Sequence, residues 1–467
     1  MRTGSIIQSG LRGFADIETS LKAIKKLLPF SIVLFRSDFS KEEDLKQLIN
    51  NINHLYRIEA GIDPPIIAVD QEGGNVVRIP WLDYNPSNFF TGSFNNLNFT
   101  LYIGRLTGSQ LYNRGIRWNL APVLDILNGY NQVILERSFS EKVEAVAEHG
   151  AYYIKGLQEA GVAATAKHFP GHGSVLDDSH LVLPKDSRGF SAVMNDAYPF
   201  ISAIESHVRS IMLSHVLYDS IDPDYPASLS EKVQNILRDE LKFNGVILTD
   251  SVDMKAVSAN YTISEIVKKS VGNEADVIEI ADLNRGLEIS DYILKIDKDK
   301  LKKKVERIGH ILPEKTLSYS PQPDLLNSIS LSFNSVLREI NLDPQEHIFL
   351  VFLDTRPESN VVEEKDSSNS VVKRIKLTEL DIEVTNLDKL IKNNAVGSQI
   401  IFVGRNEHLK DRFTSLNRLS EHNKCVFIST SVSRDLGVIN KNIGYIAAYS
   451  SKTENIVGSI YRALGFF

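Results

Sequence analysis

The chain has 467 residues and, with 52 Lys+Arg against 59 Asp+Glu, a formal net charge of −7. Hydrophobic residues make up 42% and charged residues 24%, enough apolar matter for sizeable cores and too much for a disordered chain. The acidic balance argues against general nucleic-acid binding, and a single cysteine, Cys425, excludes an internal disulfide and any cysteine-built zinc site.

Short apolar runs rich in Val and Ile recur through the first two thirds of the chain. In order they are Ser5–Ser9, Ser31–Arg36, Pro65–Asp70, Ile116–Asp125, Val162–His168, Ser210–His215, Gly245–Asp250 and Ala275–Ala281. Near-continuous apolar character is what a parallel strand buried on both faces requires. Segments with helical spacing lie between them: Ile17–Leu28, Lys41–Tyr56, Leu101–Asn113, Ser140–Ala160, Ala192–Ser206, Ser230–Leu241 and Ser264–Ser270. Strands alternating with helices in this number predict an α/β fold, a (β/α)8 TIM-like barrel over residues 1–312. The structural alternative is a doubly wound open sheet, but no Gly-x-Gly-x-x-Gly follows the first strand.

After the basic helix Asp297–Arg307, whose lysines are interleaved with acids as on a solvated face, the chain becomes rich in Pro and polar residues. Residues 313–326 therefore read as a linker. Alternation resumes over residues 327–467. Strands are expected at Ile348–Asp354, Ile382–Leu387, Gln399–Gly404, Cys425–Thr430 and Ile443–Tyr449, and helices at Asp388–Lys392, Asn406–Leu419 and Glu454–Leu464. This predicts a smaller C-terminal α/β sandwich, with Cys425 as a buried strand residue rather than a catalytic thiol. No apolar run approaches the roughly 20 residues of a membrane span. Met1–Phe14 lacks the apolar core of a secretory signal, so a cytoplasmic location is expected.

In a barrel of this kind, catalytic groups sit at the C-terminal ends of strands. The predicted ends carry Asp70, Asp125, Lys167 with His168, His215 and Asp250. A carboxylate such as Asp250 at a dry barrel mouth can act as nucleophile or base, and can equally be a salt-bridged rim residue or a helix cap. Asp70, in Asp-Gln-Glu-Gly-Gly74, can accept from sugar hydroxyls, with Arg78 eight residues on. Arg137 can be an ordinary surface arginine. The densest chemistry lies in Lys167-His-Phe-Pro-Gly-His-Gly-Ser-Val-Leu-Asp-Asp-Ser-His180. Asp178 and His180 are two apart, so extended backbone puts them on one face, where the acid can fix the tautomer of a proton-shuttling imidazole. His168, His172, Asp177, Asp178 and His180 can equally serve as metal ligands, and their spacing does not exclude that.

The same segment resembles the signature of the β-N-acetylglucosaminidase (β-N-acetylhexosaminidase) branch of glycoside hydrolase family 3. Further matching stretches follow in order: Ala68-Val-Asp-Gln-Glu-Gly-Gly, Arg78, Glu136-Arg-Ser-Phe, Ser214-His, Pro226-Ala-Ser-Leu-Ser230 and Gly245-Val-Ile-Leu-Thr-Asp-Ser-Val-Asp-Met254. The resemblance implies a retaining exo-glycosidase that needs no cofactor and no metal. Asp250 would be its nucleophile and His180 its acid/base, oriented by Asp178. Sugar-binding positions would be Asp70, Arg78, Arg137, Lys167 and His168, and the partner a small β-linked N-acetylglucosaminide, with no nucleic acid and no membrane. Phosphorolysis of the same bond and β-glucosidase activity are the alternative reactions, and a sugar-binding protein without catalysis is the alternative class. Two departures stand out. Arg36-Ser-Asp replaces the family's usual Arg-Asn, and the last barrel strand, Asp276-Val-Ile-Glu-Ile-Ala-Asp282, carries Glu279 and Asp282 where an apolar ending is more typical.

Overall fold

A computed structural model describes residues 3–14, 16–82, 86–93, 96–128, 131, 133–175, 177, 179 and 182–315. In the last third it describes residues 335–338, 348–352, 382–385, 390, 398–404, 416, 419–421, 423–429 and 443–447. Contacts divide the chain into two compact units, Met1–Ile134 with Ser138–Ser320, and Leu135–Arg137 with Pro321–Phe467.

The first unit is built on eight strands: β1 Ile7–Arg12, β2 Ser31–Leu34, β3 Ile66–Val69, β4 Ile116–Asn119, β5 Ala163–Phe169, β6 Ser210–Leu213, β7 Val246–Thr249 and β8 Ile278–Asp282. They pair in parallel in the order β8-β1-β2-β3-β4-β5-β6-β7, and a parallel bridge from Leu248 to Val277 brings β7 back beside β8. Helices occupy every crossover, from Ile17–Leu27 to Ile263–Lys269, and Leu283–Ile293 follows β8, so the (β/α)8 barrel expected from the alternation is present.

Local chemistry fixes the helix ends. Asp16 caps Ile17–Leu27 by accepting from Thr19 N at 2.7 Å, and Thr262 with Glu265 forms a capping box on Ile263–Lys269. The segment Ala192–Ser206, expected as one helix, is two, Phe190–Asp196 and Tyr198–Glu205. Pro199 is the reason: without an N–H it fits the first turn of the second helix and not the interior of a continuous one.

Ile116–Asp125, expected as one strand, pairs regularly only to Asn119. Pro122 has no N–H for the ladder, and the chain runs on irregularly beside β5, with Thr165 N donating to Ala121 O at 2.9 Å and Leu124 N to Lys167 O at 2.6 Å. Trp118 fills the barrel centre with no exposed surface; its Nε1 donates to Thr165 Oγ1 at 2.8 Å and Ser210 Oγ at 3.0 Å.

The second unit contains a six-stranded sheet: β9 Ser335–Arg338, β10 Ile348–Phe352, β11 Ile382–Thr385, β12 Gln399–Gly404, β13 Lys424–Ser429 and β14 Ile443–Ala447. Their order is β9-β14-β13-β12-β10-β11, parallel throughout except for β9 against β14. The five expected strands are all there, and β9 adds an antiparallel edge. The helices expected at Asp388–Lys392, Asn406–Leu419 and Glu454–Leu464 fall largely or wholly outside the described residues. Cys425 is buried in β13, and burial pushes its thiol up to about 12. Among the described residues, no helix is long and apolar enough to cross a membrane.

Candidate active site

The C-terminal ends of β3, β5 and β7 carry the polar residues singled out above. Asp70 follows β3 directly, in a turn that its neighbours clamp. Asn119 Nδ2 donates to Gln71 O at 3.0 Å and Asn119 Oδ1 accepts from Gln71 N at 2.9 Å. Gln71 Oε1 in turn accepts from the backbone of Arg78 and Ile79, each at 3.1 Å. The turn closes through Gly73 and Gly74, both at positive φ (94° and 59°), which a side chain would resist.

That clamp fixes a buried charge cluster. Lys167 Nζ, from β5, lies 2.8 Å from Asp70 Oδ1 and 2.7 Å from Glu72 Oε1, and Arg78 Nη2 lies 3.6 Å from Asp70 Oδ2. All four side chains are nearly buried. Pairing of this kind offsets the cost of burying charged groups inside the barrel mouth. Three of the expected sugar-binding residues, Asp70, Arg78 and Lys167, are thus in contact. Glu72 is a partner that sequence reading missed; its place one turn position beyond Gln71 was the available signal.

His168 is oriented by Asp125. Asp125 has no exposed surface, and its Oδ2 lies 2.7 Å from His168 Nδ1 while Oδ1 accepts from His172 N at 2.6 Å and from His168 N at 3.2 Å. Burial alone would raise the Asp125 carboxyl, but the adjacent His168 and His172 outweigh it and hold it below the usual carboxylate range. The ionised acid accepts from Nδ1–H and leaves Nε2 of His168 as the working nitrogen.

In Pro170-Gly-His-Gly173 the second glycine serves close approach. A β-carbon on Gly173 would stand 1.7 Å from Ile126 O. Asn131 Nδ2 donates to His172 O at 2.9 Å and Val175 O at 2.6 Å, and Ser174 Oγ donates to Asp196 Oδ2 at 2.6 Å. Asp178 and His180 lie outside the described residues. Between them Ser179 has its Oγ 3.2 Å from His172 Nε2, and its carbonyl accepts from Ala256 N at 3.2 Å, which ties this loop to the segment that follows β7.

Asp250 stands at the end of β7, its N–H donating to Leu213 O at 3.1 Å and its Oδ1 accepting from Ser251 N at 2.7 Å. His215, another predicted strand end, is buried and fully engaged: Nδ1 lies 2.8 Å from Ser228 Oγ and Nε2 2.9 Å from Ser251 O. The second of these contacts ties it to the turn that carries Asp250. Arg137 is buried in the short turn Leu135–Arg137, which groups with the second unit. Among the described residues, no group of three or more His, Cys, Asp or Glu side chains is arranged to hold a metal ion.

The family model for the glycosyl hydrolase family 3 N-terminal domain matches residues 7–310. The chain belongs to glycosyl hydrolase family 3. Its curated relatives include a protein named beta-hexosaminidase from Alkalilimnicola ehrlichii, 36% identical over 236 residues, which cover 49% of this chain and 66% of that one. A second beta-hexosaminidase, from Thioalkalivibrio sulfidiphilus, is 33% identical over 252 residues, 52% of this chain and 71% of the relative. The chain thus spans about two thirds of the length of these relatives. Among solved structures, a glycoside hydrolase family 3 beta-N-acetylglucosaminidase from Paenibacillus sp. matches with a TM-score of 0.89 at 25% identity, over 99% of this chain and 96% of that one. The enzyme is therefore a glycoside hydrolase, and the resemblance read from its sequence motifs is borne out at the level of family and fold.

Proposed function

We propose that this enzyme is a retaining exo-glycosidase that hydrolyses terminal β-linked N-acetylglucosamine. Asp250 attacks the anomeric carbon as the leaving oxygen takes a proton from His180, giving a glycosyl-enzyme. His180 then removes a proton from the incoming water, which displaces Asp250, and Asp178 orients the imidazole throughout. A histidine stands where most glycosidases use a second carboxylate. Asp70, Arg78, Lys167 and His168 bind the sugar. Asp70 is the main hydroxyl acceptor, and its ion pairs fix its orientation for that task.

The observation that carries this reading is the mouth cluster, in which Lys167 and Arg78 hold Asp70 at the C-terminal end of the barrel, the same end at which β7 delivers Asp250. The proposed nucleophile thus shares one face of the barrel with a preorganised acceptor for hydroxyls. The tether from Ser179 to Ala256 supports it as well, because it links the segment bearing Asp178 and His180 to the one bearing Asp250. The names of the curated relatives favour the hexosamine over glucose.

Two variants test the roles. Asp250→Ala should lower turnover by about a thousandfold or more for every leaving group. His180→Ala should spare nitrophenyl substrates, which leave without protonation, and slow unactivated glycosides far more. Equal losses on both substrate types remove His180 from the acid/base role. One second reading rests on the chemistry of the acid/base residue. An uncharged imidazole does not repel a phosphate dianion, so phosphorolysis is the competing outcome, and it is revealed by sugar 1-phosphate in phosphate buffer.

A further inference from the structure

β8 places an acid, Glu279, between the buried Ile278 and Ile280. Its direction follows from the outer layer. A β-carbon on Gly286, in the helix Leu283–Ile293, would stand 3.6 Å from Ser9 Oγ and 3.9 Å from Ile280 Cδ1, so those two side chains face outward. Their chain neighbours Gln8 and Glu279, paired across β1 and β8, therefore face the barrel interior. Glu279 is 4% exposed, and its Oε2 is buried with no hydrogen-bond partner among the described residues. Gln8 Oε1, at the paired position, is likewise a buried acceptor without a donor, while Gln8 Nε2 is committed to Ser31 Oγ at 2.9 Å.

Among the described residues, the charges that act most on Glu279 are those of Asp70 after β3, Lys167 on β5, and Asp250 and Asp253 after β7. Three of these are acids, and Lys167 is already shared between Asp70 and Glu72. An ionised, unpartnered carboxylate in that position would be strongly disfavoured, and it would also oppose the charge that Asp250 needs as a nucleophile. Burial first, and then the charges of Asp70 and Asp250, push the Glu279 carboxyl well above its ordinary range, with Lys167 opposing them. In its acid form the same group is an O–H donor, opposite the unpartnered acceptor Gln8 Oε1.

We propose that Glu279 is a specificity-determining residue of the sugar pocket, acting as a neutral carboxylic acid that donates its O–H to a hydroxyl oxygen of the bound sugar. Its orphaned position then has a purpose, since the partner arrives with the substrate. Asp70 would accept from the sugar and Glu279 would donate to it. This inference rests on the reading of the barrel mouth as a sugar site and adds a residue to it.

Infrared difference spectroscopy on the full chain, with Glu279→Gln as reference, tests it. At neutral pH the wild type should show the carbonyl stretch of a protonated carboxyl that E279Q lacks, and added N-acetylglucosamine should shift that band. Kinetically, Glu279→Leu should raise KM about tenfold with a smaller change in kcat, whereas E279Q, which keeps a neutral donor, should recover most of the loss. Sugar affinity of the wild type should fall as pH rises above neutrality and Glu279 ionises, and E279Q should lose that dependence. An absent band at neutral pH overturns the proposal. So does a band unmoved by N-acetylglucosamine or glucose, as expected of an acid bonded only to Gln8, and so does an unchanged KM in E279L. If no β-N-acetylglucosaminide is cleaved and the band still shifts with sugar, the proposed reaction fails and the assignment of Glu279 stands.

Discussion

Asp125 shows how one buried carboxylate organises a mouth residue it does not join. It receives the His168 ring and two backbone N–H groups, and its lowered proton affinity means that it folds as an anion. Because the folded value lies below the ordinary 3.8, its stabilising contribution is complete above that pH and is lost as pH falls through the lowered value. Asp125→Asn should therefore destabilise the enzyme at neutral pH by about 1.5–3 kcal/mol, the worth of hydrogen bonds to a charged group, and make unfolding less sensitive to acid. Its kcat/KM should fall about tenfold or more as His168 loses its fixed tautomer. Wild-type values for both denaturant midpoint and kinetics would rule the arrangement out. Sequence reading placed Asp125 at a strand end without giving it a task, because the histidines it holds are more than forty positions away in the chain.

Elements were more legible than residues. The alternation of apolar runs with helical spacing sufficed for the barrel because each β/α unit follows the same local rule, and the runs kept their identity even where their ends shifted. Boundaries failed where tertiary chemistry intervened. Pro122 cut short the regular pairing of β4, Pro199 divided a helix, and Ala275–Asp276, expected within the last strand, instead leads into β8. There the Asp276 carboxylate accepts from Ile247 N at 2.9 Å and pairs with Arg238 and with Arg307 at 2.7 Å. In the Gly171–Gly173 loop, a glycine's freedom and a glycine's lack of volume look alike in the sequence. Gly173→Ala distinguishes them. With the carbonyl of Ile126 in the way, the alanine should cost about 1–3 kcal/mol in stability and lower kcat about tenfold by displacing the segment that leads to Asp178 and His180. Unchanged melting temperature and kcat would show that the loop has the room the structure denies it.

On the scale of the whole molecule, a net charge of −7 says little about a mouth in which Lys167 and Arg78 meet Asp70 and Glu72. Composition excluded classes of partner, whereas the order of short motifs along the chain pointed to the family. Both are properties that sequence carries directly. The ion pairs of the mouth were not legible, because they join strands far apart in sequence, and Glu279 stood out only as a departure from the family's pattern. The central claim is hydrolysis of a terminal β-N-acetylglucosaminide through Asp250 and His180. Its most direct measurement compares nitrophenol release from the β-N-acetylglucosaminide and the β-glucoside, with and without phosphate, and identifies the sugar product. The account predicts rapid cleavage of the first substrate, near silence toward the second, and free N-acetylglucosamine in either buffer. Preference for the glucoside, or sugar 1-phosphate as the main product in phosphate, would contradict it.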